Sequence, residues 1–315
     1  MPSLTTVDQL DPELLAKNPN NPRRFFNEER LDSLKTSIQE VGILVPLIVY
    51  RNPKDATRYI LMDGERRWRC ALDLAFDDVP VNIIGVPTPL DNLLRMFNIH
   101  NVRDDWPLIS VALSLREVMS LSGESGEKRL SELTGLTRAT VRRAKRVLTL
   151  PEPEIELIRN EAHLDRHLQV HREDLYLEIE AADSVLRSAL PELTSEFTRD
   201  EVIRKFAAKS ERQALNAVTD FRYVGRLAKA IDDDVVDREA VLRAARELIE
   251  DETLSPKTVF EDVAAIGYKQ QTVQRKVELL SAELTDLPDA PLSQALASRL
   301  MQLRDLLDRL LENSQ

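Results

Sequence analysis

Hydrophobic positions in the first 104 residues predict short strands and helices in alternation. Apolar residues recur every three or four positions between Asn27 and Val41, and Gly42 follows, which predicts an amphipathic helix that ends at the glycine. Three apolar runs bounded by turn-forming residues predict strands, at residues 44–50, 59–62 and 79–84. Periodic segments predict helices at residues 91–101 and 107–122. We therefore expect a small α+β domain over residues 1–104.

The segment before the first predicted helix lacks any regular period. Prolines at positions 19 and 22 bias their neighbours toward extended conformations, so residues 18–24 cannot form regular helix. We expect an ordered turn or a loose arm over residues 1–26.

Beyond residue 104 the hydrophobic period is helical almost throughout, so the protein is predicted to be mostly helical. We expect an all-α helix-turn-helix domain over residues 105–175 and a helical bundle over 176–287, with helices at 201–217, 220–231 and 238–250. Within residues 258–280, the sequence Ile266-Gly267-Tyr268 predicts the turn of an ordinary helical hairpin, with a second helix-turn-helix as the alternative.

The last segment, residues 288–315, predicts an amphipathic helix after two prolines. Its leucines keep a spacing of three or four residues, at positions 292, 296, 300, 303, 307 and 310. Such a stripe can join two chains as a dimer or fold back on its own bundle, and we expect a homodimer.

Composition places the chain among soluble proteins with much exposed helix. Of its 315 residues 43% are hydrophobic and 31% are charged, and the formal net charge is −11. The lone cysteine, Cys70, cannot form an internal disulfide, which fits a reducing cytoplasmic compartment. No run reaches the roughly 20 apolar residues of a membrane span, so no membrane association is expected.

The sequence Tyr59–Ala71 predicts an anion site. An apolar strand enters a turn at Gly64 and leaves as a helix that carries Arg66, Arg67 and Arg69. Glycine permits the sharp turn, and the first amides of the helix point their dipoles at a ligand. The alternative is a solvated helix face on which the arginines pair with nearby carboxylates.

Residues 129–148 carry the pattern of a helix-turn-helix. A short helix meets Thr134-Gly135-Leu136, and Thr137 then caps a second helix. Between Thr137 and Leu148 every charged residue is basic, although the whole chain is acidic, and phosphate binding requires such a local inversion. The predicted DNA-binding residues are Arg138, Thr140, Arg142, Arg143, Lys145 and Arg146, the last two toward the phosphate backbone.

The order of these motifs resembles the ParB/Spo0J family of partition proteins. The resemblance rests on the Asn-Pro-Arg segment, on Gly-Ile-Leu-Val-Pro-Leu-Ile-Val at residues 42–49, and on Gly-Glu-Arg-Arg-Trp-Arg at 64–69. It implies a domain that binds CTP with Mg²⁺, with Gly64, Glu65, Arg66 and Arg67 at the triphosphate. It also implies Gly42, Ile43 and Pro46 near the nucleoside.

The family continues with a Glu-Asn-x-Gln-Arg segment, and this chain departs from it. Asn101 matches, which implies a role in nucleotide and Mg²⁺ binding, and Arg103 stands one position from the family's basic residue. His100 replaces the glutamate, and imidazole is a poor ligand for magnesium. A weak CTPase activity is therefore left open.

The resemblance weakens beyond Pro153. The Gly-His-Ala-Arg stretch of typical members is absent, and three histidines lie four residues apart at positions 163, 167 and 171. On one helix they would share a face, as zinc ligands do, but their charged neighbours favour a polar surface.

The resemblance implies a sequence-specific binder of double-stranded DNA, associated with the nucleoid, that acts as a CTP-dependent clamp in partition of a plasmid, chromosome or phage genome. A Walker-type partition ATPase is the implied partner, because this chain has no Gly-x-x-x-x-Gly-Lys-Ser/Thr loop of its own. The alternatives are a helix-turn-helix transcriptional regulator without nucleotide switching and a ParB-like nuclease.

Overall fold

The N-terminal domain is built on a five-stranded sheet. In a computed structural model, which describes residues 7–21, 28–100, 106–288 and 291–312, the strands are β1 (Val7–Leu10), β2 (Leu15–Ala16), β3 (Leu47–Asn52), β4 (Asp55–Asp63) and β5 (Val79–Ile84). Their order is β1-β5-β3-β4-β2. The central pair β3 and β5 is parallel, while β4 runs antiparallel to β3 and β1 antiparallel to β5.

Helices cover both faces of the sheet. They are α1 (Glu28–Val41), α2 (Glu65–Asp73) and α3 (Pro89–His100). Alternate residues of β4 point to opposite sides, as in any strand. Leu61 therefore packs in the cluster on the α2 side, whereas Met62 packs with Met96 of α3.

Two strands lie where the sequence predicted only a turn or an arm. Strand β1 is largely exposed, with Val7 54% accessible, and β2 has only two residues. Neither therefore has the apolar alternation that marks a strand. Both are held by backbone pairing to neighbouring strands, which a local pattern does not encode.

The remaining helices form one extended helical body. They are α4 (Leu108–Ser122), α5 (Glu127–Thr134), α6 (Arg138–Val147), α7 (Glu152–Glu161), α8 (Glu173–Ala189), α9 (Leu193–Glu196), α10 (Arg199–Glu211), α11 (Arg222–Asp232), α12 (Arg238–Glu250), α13 (Pro256–Phe260), α14 (Ile266–Thr285) and α15 (Gln294–Glu312). A single cluster of buried side chains extends from Leu93 of α3 to Ala264. The helix-turn-helix and the bundle behind it therefore share one core, with no break at the predicted boundary between residues 175 and 176.

Two helices in the bundle differ from the prediction. Helix α10 ends at Glu211, not at residue 217, because Gln213 adopts a left-handed conformation with φ of 56°. Helix α11 begins at Arg222 after a short 3-10 turn, whereas Arg238–Glu250 matches the prediction.

The hairpin predicted within residues 258–280 is wrong, and so is the alternative second helix-turn-helix. The chain stays helical through Gly267, with a π-helical turn at Glu261–Ala265. A Cβ built on Gly267 would lie 2.5 Å from Cγ1 of Val235, so this glycine permits close packing and does not mark a turn.

Helices α14 and α15 contribute no buried residue to any core. Their apolar residues are half-covered or exposed, for example Val273 at 53% and Leu280 at 36%. Among the described residues, no helix is long and apolar enough to cross a membrane.

Candidate functional site

Gly64 makes the sharp connection between β4 and α2. Its φ of 97° and ψ of 19° lie in the left-handed region, and Trp68 N donates to its carbonyl at 2.9 Å. A Cβ at this position would lie 2.4 Å from Cδ2 of Leu47, whose side chain is fully buried. Because the N-cap residue is a glycine, it supplies no side chain to the first amides of α2, and the positive end of the helix dipole lies at this turn.

The N-terminal end of α2 lines a cleft of about 450 Å³. Six of the seven residues predicted from Gly42 to Arg67 line it: Gly42, Ile43, Gly64, Glu65, Arg66 and Arg67. The seventh, Pro46, contributes through its carbonyl, which accepts a hydrogen bond from Arg67 Nη1 at 3.1 Å. The size suits a small organic ligand.

The three arginines that follow Gly64 make different contacts. Arg67 donates to the carbonyls of Val45 and Pro46 and pairs with Asp63 at 3.1 Å, so it holds the loop after α1 against the turn. Arg69 pairs with Glu65 at 2.6 Å. Arg66 lines the cleft beside the N-terminal end of α2, where a guanidinium suits an anion.

Sequence reasoning missed the apolar wall of the cleft. Leu34 and Ile38 of α1 and Met96 of α3 line it together with Ile43. The two helices had been predicted, but only the tertiary fold brings both to this cleft. A wall of this kind accommodates a planar apolar group next to an anion subsite.

A buried polar network fixes the Asn-Pro segment at the cleft. Asn18 donates to Asn92 of α3 at 2.8 Å, and Asn92 donates in turn to the Tyr50 hydroxyl at 3.3 Å. Burial raises the pKa of Tyr50, against the opposite effect of its bond with Asn92. Three residues further on, Asn21 donates to Glu65 at 2.7 Å, so the segment is an ordered turn as far as residue 21.

The predicted metal contacts are only partly described. Asn101 and Arg103 lie outside the described residues, as does the side chain of His100. Within the described part of the cleft, the carboxylates Asp63 and Glu65 are both engaged by arginines, and no group of three or more His, Cys, Asp or Glu residues is arranged to hold a metal ion. The described residues thus fit an anion better than they fit Mg²⁺.

The second candidate site is the helix-turn-helix of α5 and α6. Gly135 ends α5 with φ of 72°, and the Thr137 hydroxyl accepts from Thr140 N at 3.1 Å to begin α6. Val141, Ala144 and Val147 are fully buried and anchor α6, whereas Leu148, which the pattern placed on this face, is only partly buried. The opposite face of α6 is therefore left to solvent.

The six predicted DNA-binding side chains are not equivalent. Arg138, Arg142 and Arg143 are exposed, and Thr140 shares a hydrogen bond with Thr137 at 2.8 Å. Arg142 forms a two-pronged ion pair with Glu127, which lowers the pKa of that carboxyl. Lys145 donates to the carbonyl of Ser125 at 2.9 Å, and Arg146 donates to the carbonyl of Leu177 at 2.8 Å.

The three spaced histidines do not share a helix face. Helix α7 ends at Glu161, before the first of them, so the four-residue spacing spans irregular turns. His163 and His167 are exposed, but His171 is buried against the expectation of a polar surface. Its Nδ1 lies 2.9 Å from the Tyr176 hydroxyl, which donates to Glu154 at 2.6 Å; burial and this carboxylate raise the pKa of Tyr176.

Residues 2–101 match the family model described as ParB N-terminal domain. The Chromosome-partitioning protein ParB of Caulobacter vibrioides is 36% identical over 143 residues, which are 44% of this chain and 45% of that protein. Residues 2–101 therefore form a ParB N-terminal domain. The matched residues of the ParB domain include the Gly64 turn and most of the cleft described above, and the chain spans about half the length of the curated relatives it matches.

Two solved structures of C-terminally truncated ParB from Caulobacter crescentus are also similar. One, complexed with CTP-gamma-S, is 29% identical and covers 51% of this chain and 89% of that chain, with a TM-score of 0.30. The other, complexed to the centromeric parS site, is 25% identical and covers 76% of this chain and 99% of that chain, with a TM-score of 0.37.

Proposed function

We propose that this chain is a sequence-specific DNA-binding partition protein whose ParB domain binds CTP. The observation that carries the proposal is the Gly64 turn, where the N-terminal end of α2 and the Arg66 side chain line a cleft with an apolar wall. The amides and Arg66 offer donors to a triphosphate, and the wall formed by Leu34, Ile38 and Met96 offers a surface to the base.

DNA binding is assigned to α6. Its basic side chains lie opposite a fully buried apolar face, and the cap at Thr137 orients the first turn. Arg138 and Arg143 are exposed arginines of α6 that form no hydrogen bond with another residue in the described part of the chain, so they suit base edges or phosphates.

Nucleotide binding then controls DNA binding by a shift in populations. In this proposal CTP favours engagement of the ParB domains of two chains and closes them as a clamp on DNA. Two chains associate through α14 and α15, and a Walker-type ATPase supplies movement of the bound genome. Mg²⁺ accompanies the triphosphate, with Asn101 as a ligand from outside the described residues.

Titration of CTP, ATP, GTP and UTP against the protein, with and without Mg²⁺, tests the nucleotide site. We expect CTP to bind preferentially and Arg66→Ala to weaken it about tenfold or more, because a charged hydrogen bond is lost. Arg58→Ala is the matched control, because Arg58 lies on β4 outside the cleft and its substitution removes the same charge. Equal binding of all four nucleotides, or an unchanged Arg66→Ala variant, would reject the CTP site.

Selection from a pool of random duplexes, at a stated salt concentration, tests the DNA site. We expect one enriched sequence, and Arg143→Ala should weaken its binding and leave CTP binding intact. Loss of both together would contradict two separate sites.

A second candidate is a transcriptional regulator that binds DNA through α6 without nucleotide switching. One observation favours this candidate. The Arg67 side chain, predicted at the triphosphate, is instead bonded to two loop carbonyls and to Asp63. In that case the enriched duplex would bind equally well with and without CTP.

A further inference from the structure

The end of the DNA-facing helix α6 is tied to the bundle by an unusual carboxylate. Glu180 belongs to α8, and its side chain is only 12% exposed. One of its oxygens lies 3.4 Å from Nε of Arg146, in the last turn of α6, and Arg146 also donates to the carbonyl of Leu177, one turn earlier in α8.

The other oxygen of Glu180 meets the residues that follow α6. The Thr149 hydroxyl lies 2.8 Å from it, and Arg199 at the start of α10 donates to the same oxygen. Arg199 also donates to the carbonyl of Thr149 at 2.8 Å. Glu180 therefore contacts α6, the link after α6 and α10 at one point.

Arg146 and Arg199 offset the negative charge of Glu180, but two other charges nearby are unfavourable to it. The C-terminal end of a helix carries a partial negative charge, which repels Glu180. A further negative charge close to a DNA-facing helix also opposes the approach of phosphates. The contacts of Glu180 must therefore account for any benefit that it brings to DNA binding.

We propose that Glu180 is a positioning residue for DNA reading, which deepens the function proposed above and rests on it. By holding Arg146 and Thr149, it fixes the rotation of α6 and its depth in the groove. Arg138, Thr140 and Arg143 then meet the DNA in one register. Arg146 acts in this arrangement as a clamp on α8 and does not contact phosphate.

The direction in which Glu180→Gln changes DNA affinity separates a positioning role from an effect of charge alone. The probes are the duplex selected by the unchanged protein and a scrambled duplex of the same composition. We expect Glu180→Gln to bind the selected duplex about tenfold more weakly, because charge-assisted hydrogen bonds are lost, and the scrambled duplex equally or more tightly. Tighter binding of both duplexes, as charge removal alone predicts, would overturn the proposal.

Salt dependence gives an independent readout of Arg146. For Arg146→Gln we expect weaker binding of the selected duplex with an unchanged slope of affinity against salt, because no phosphate contact is lost. Arg143→Ala should reduce that slope by about one. An equal reduction in the Arg146 variant would place Arg146 on phosphate and contradict the clamp.

Glu178→Gln is the matched control on the same helix. Glu178 pairs with Arg222 at 2.6 Å, so its loss removes an equal charge and should leave the ratio of the two affinities unchanged. If Glu180→Gln lowers the melting temperature, Thr149→Val repeats the test with no change in charge, and the selected duplex should again bind more weakly.

Different results would reject the DNA-binding function and the positioning role of Glu180. If the unchanged protein selects no sequence, the DNA-reading function fails, and the positioning role fails with it. If it selects a duplex that the Glu180→Gln and Thr149→Val variants bind equally well, only the positioning role is rejected.

Discussion

At the scale of single residues, Gly64 lies at the point where β4, α2 and the cleft meet. Gly64 was expected at a strand-to-helix turn, and it adopts φ of 97° there. The glycine pattern did not indicate that Leu47 closes the space on its other side, because residues 17 positions apart meet only in the folded sheet. The same limit explains Gly267, which the pattern assigned to a turn.

Gly64→Ala should cost more stability than Gly42→Ala. Both glycines have positive φ, which costs roughly 1–2 kcal/mol for an L-residue, but only at position 64 does the new Cβ meet a buried side chain, for about 1–3 kcal/mol more. Urea unfolding of the two variants measures the difference. Equal losses would show that Leu47 gives way without cost.

Lys209 lies on a helix that was predicted from its apolar period, and its side chain is fully buried. Its Nζ donates to the carbonyls of Asp251 and Leu254. Burial lowers the pKa of Lys209 to about 8, against the opposite effect of Asp251 and Glu252. Helical period cannot reveal such a group, because its acceptors come from a turn more than 40 residues away.

The buried lysine predicts a pH dependence of stability. Between pH 8 and 10.5 the unfolded chain holds a proton on Lys209 that the folded chain has lost, so this group makes stability rise with pH across that window. Urea unfolding at several pH values should give a steeper rise for the unchanged protein than for Lys209→Met. Parallel profiles for the two proteins would contradict the lowered pKa.

At the scale of elements, prediction succeeded where caps and period agree. The first helix was expected to end at Gly42, and it does, and α12 matches residue for residue because Asp237 caps it. It failed at β1 and β2, which depend on partners elsewhere in the sheet. The apolar wall of the cleft was missed because it needs α1 and α3 together.

Two threonine caps allow a matched test of α6. Thr137 accepts from Thr140 N at 3.1 Å, and Thr198 accepts from Glu201 N at 3.2 Å at the start of α10. Either change to alanine should cost about 1 kcal/mol of stability in urea unfolding. Only Thr137→Ala should also weaken binding to the selected duplex, since it frays the DNA-facing end. Equal binding by both variants would mean that the first turn of α6 is not involved.

At the scale of the whole molecule, a mixed domain is followed by many helices, as the hydrophobic pattern predicted. The separation of the helices into two domains remains a prediction, although one core joins them. The long helix α14 packs against that core near its start, through Tyr268, and its apolar spacing then continues from Val273 and Val277 through Leu280 to Leu284. A stripe at this spacing suits a partner helix.

The exposed stripe predicts a dimer in solution. Light scattering should give twice the mass of one chain, and the double variant Val277→Glu, Leu280→Glu should give a single chain, because buried charges oppose the interface. Leu168→Glu is the control, since Leu168 is 56% exposed but lies outside α14 and α15. A single-chain mass for the unchanged protein would exclude this interface.

Helix α3 belongs to both cores of the molecule. Met96 packs with Tyr50 and Met62 on the sheet, while Leu93 and Phe97 are buried in the helical core. An amide hydrogen of α3 can therefore exchange with solvent deuterium only when both cores release the helix. The exchange rate of α3 then reports the more persistent of the two cores. It therefore measures how firmly the ParB domain is joined to the half that carries the helix-turn-helix.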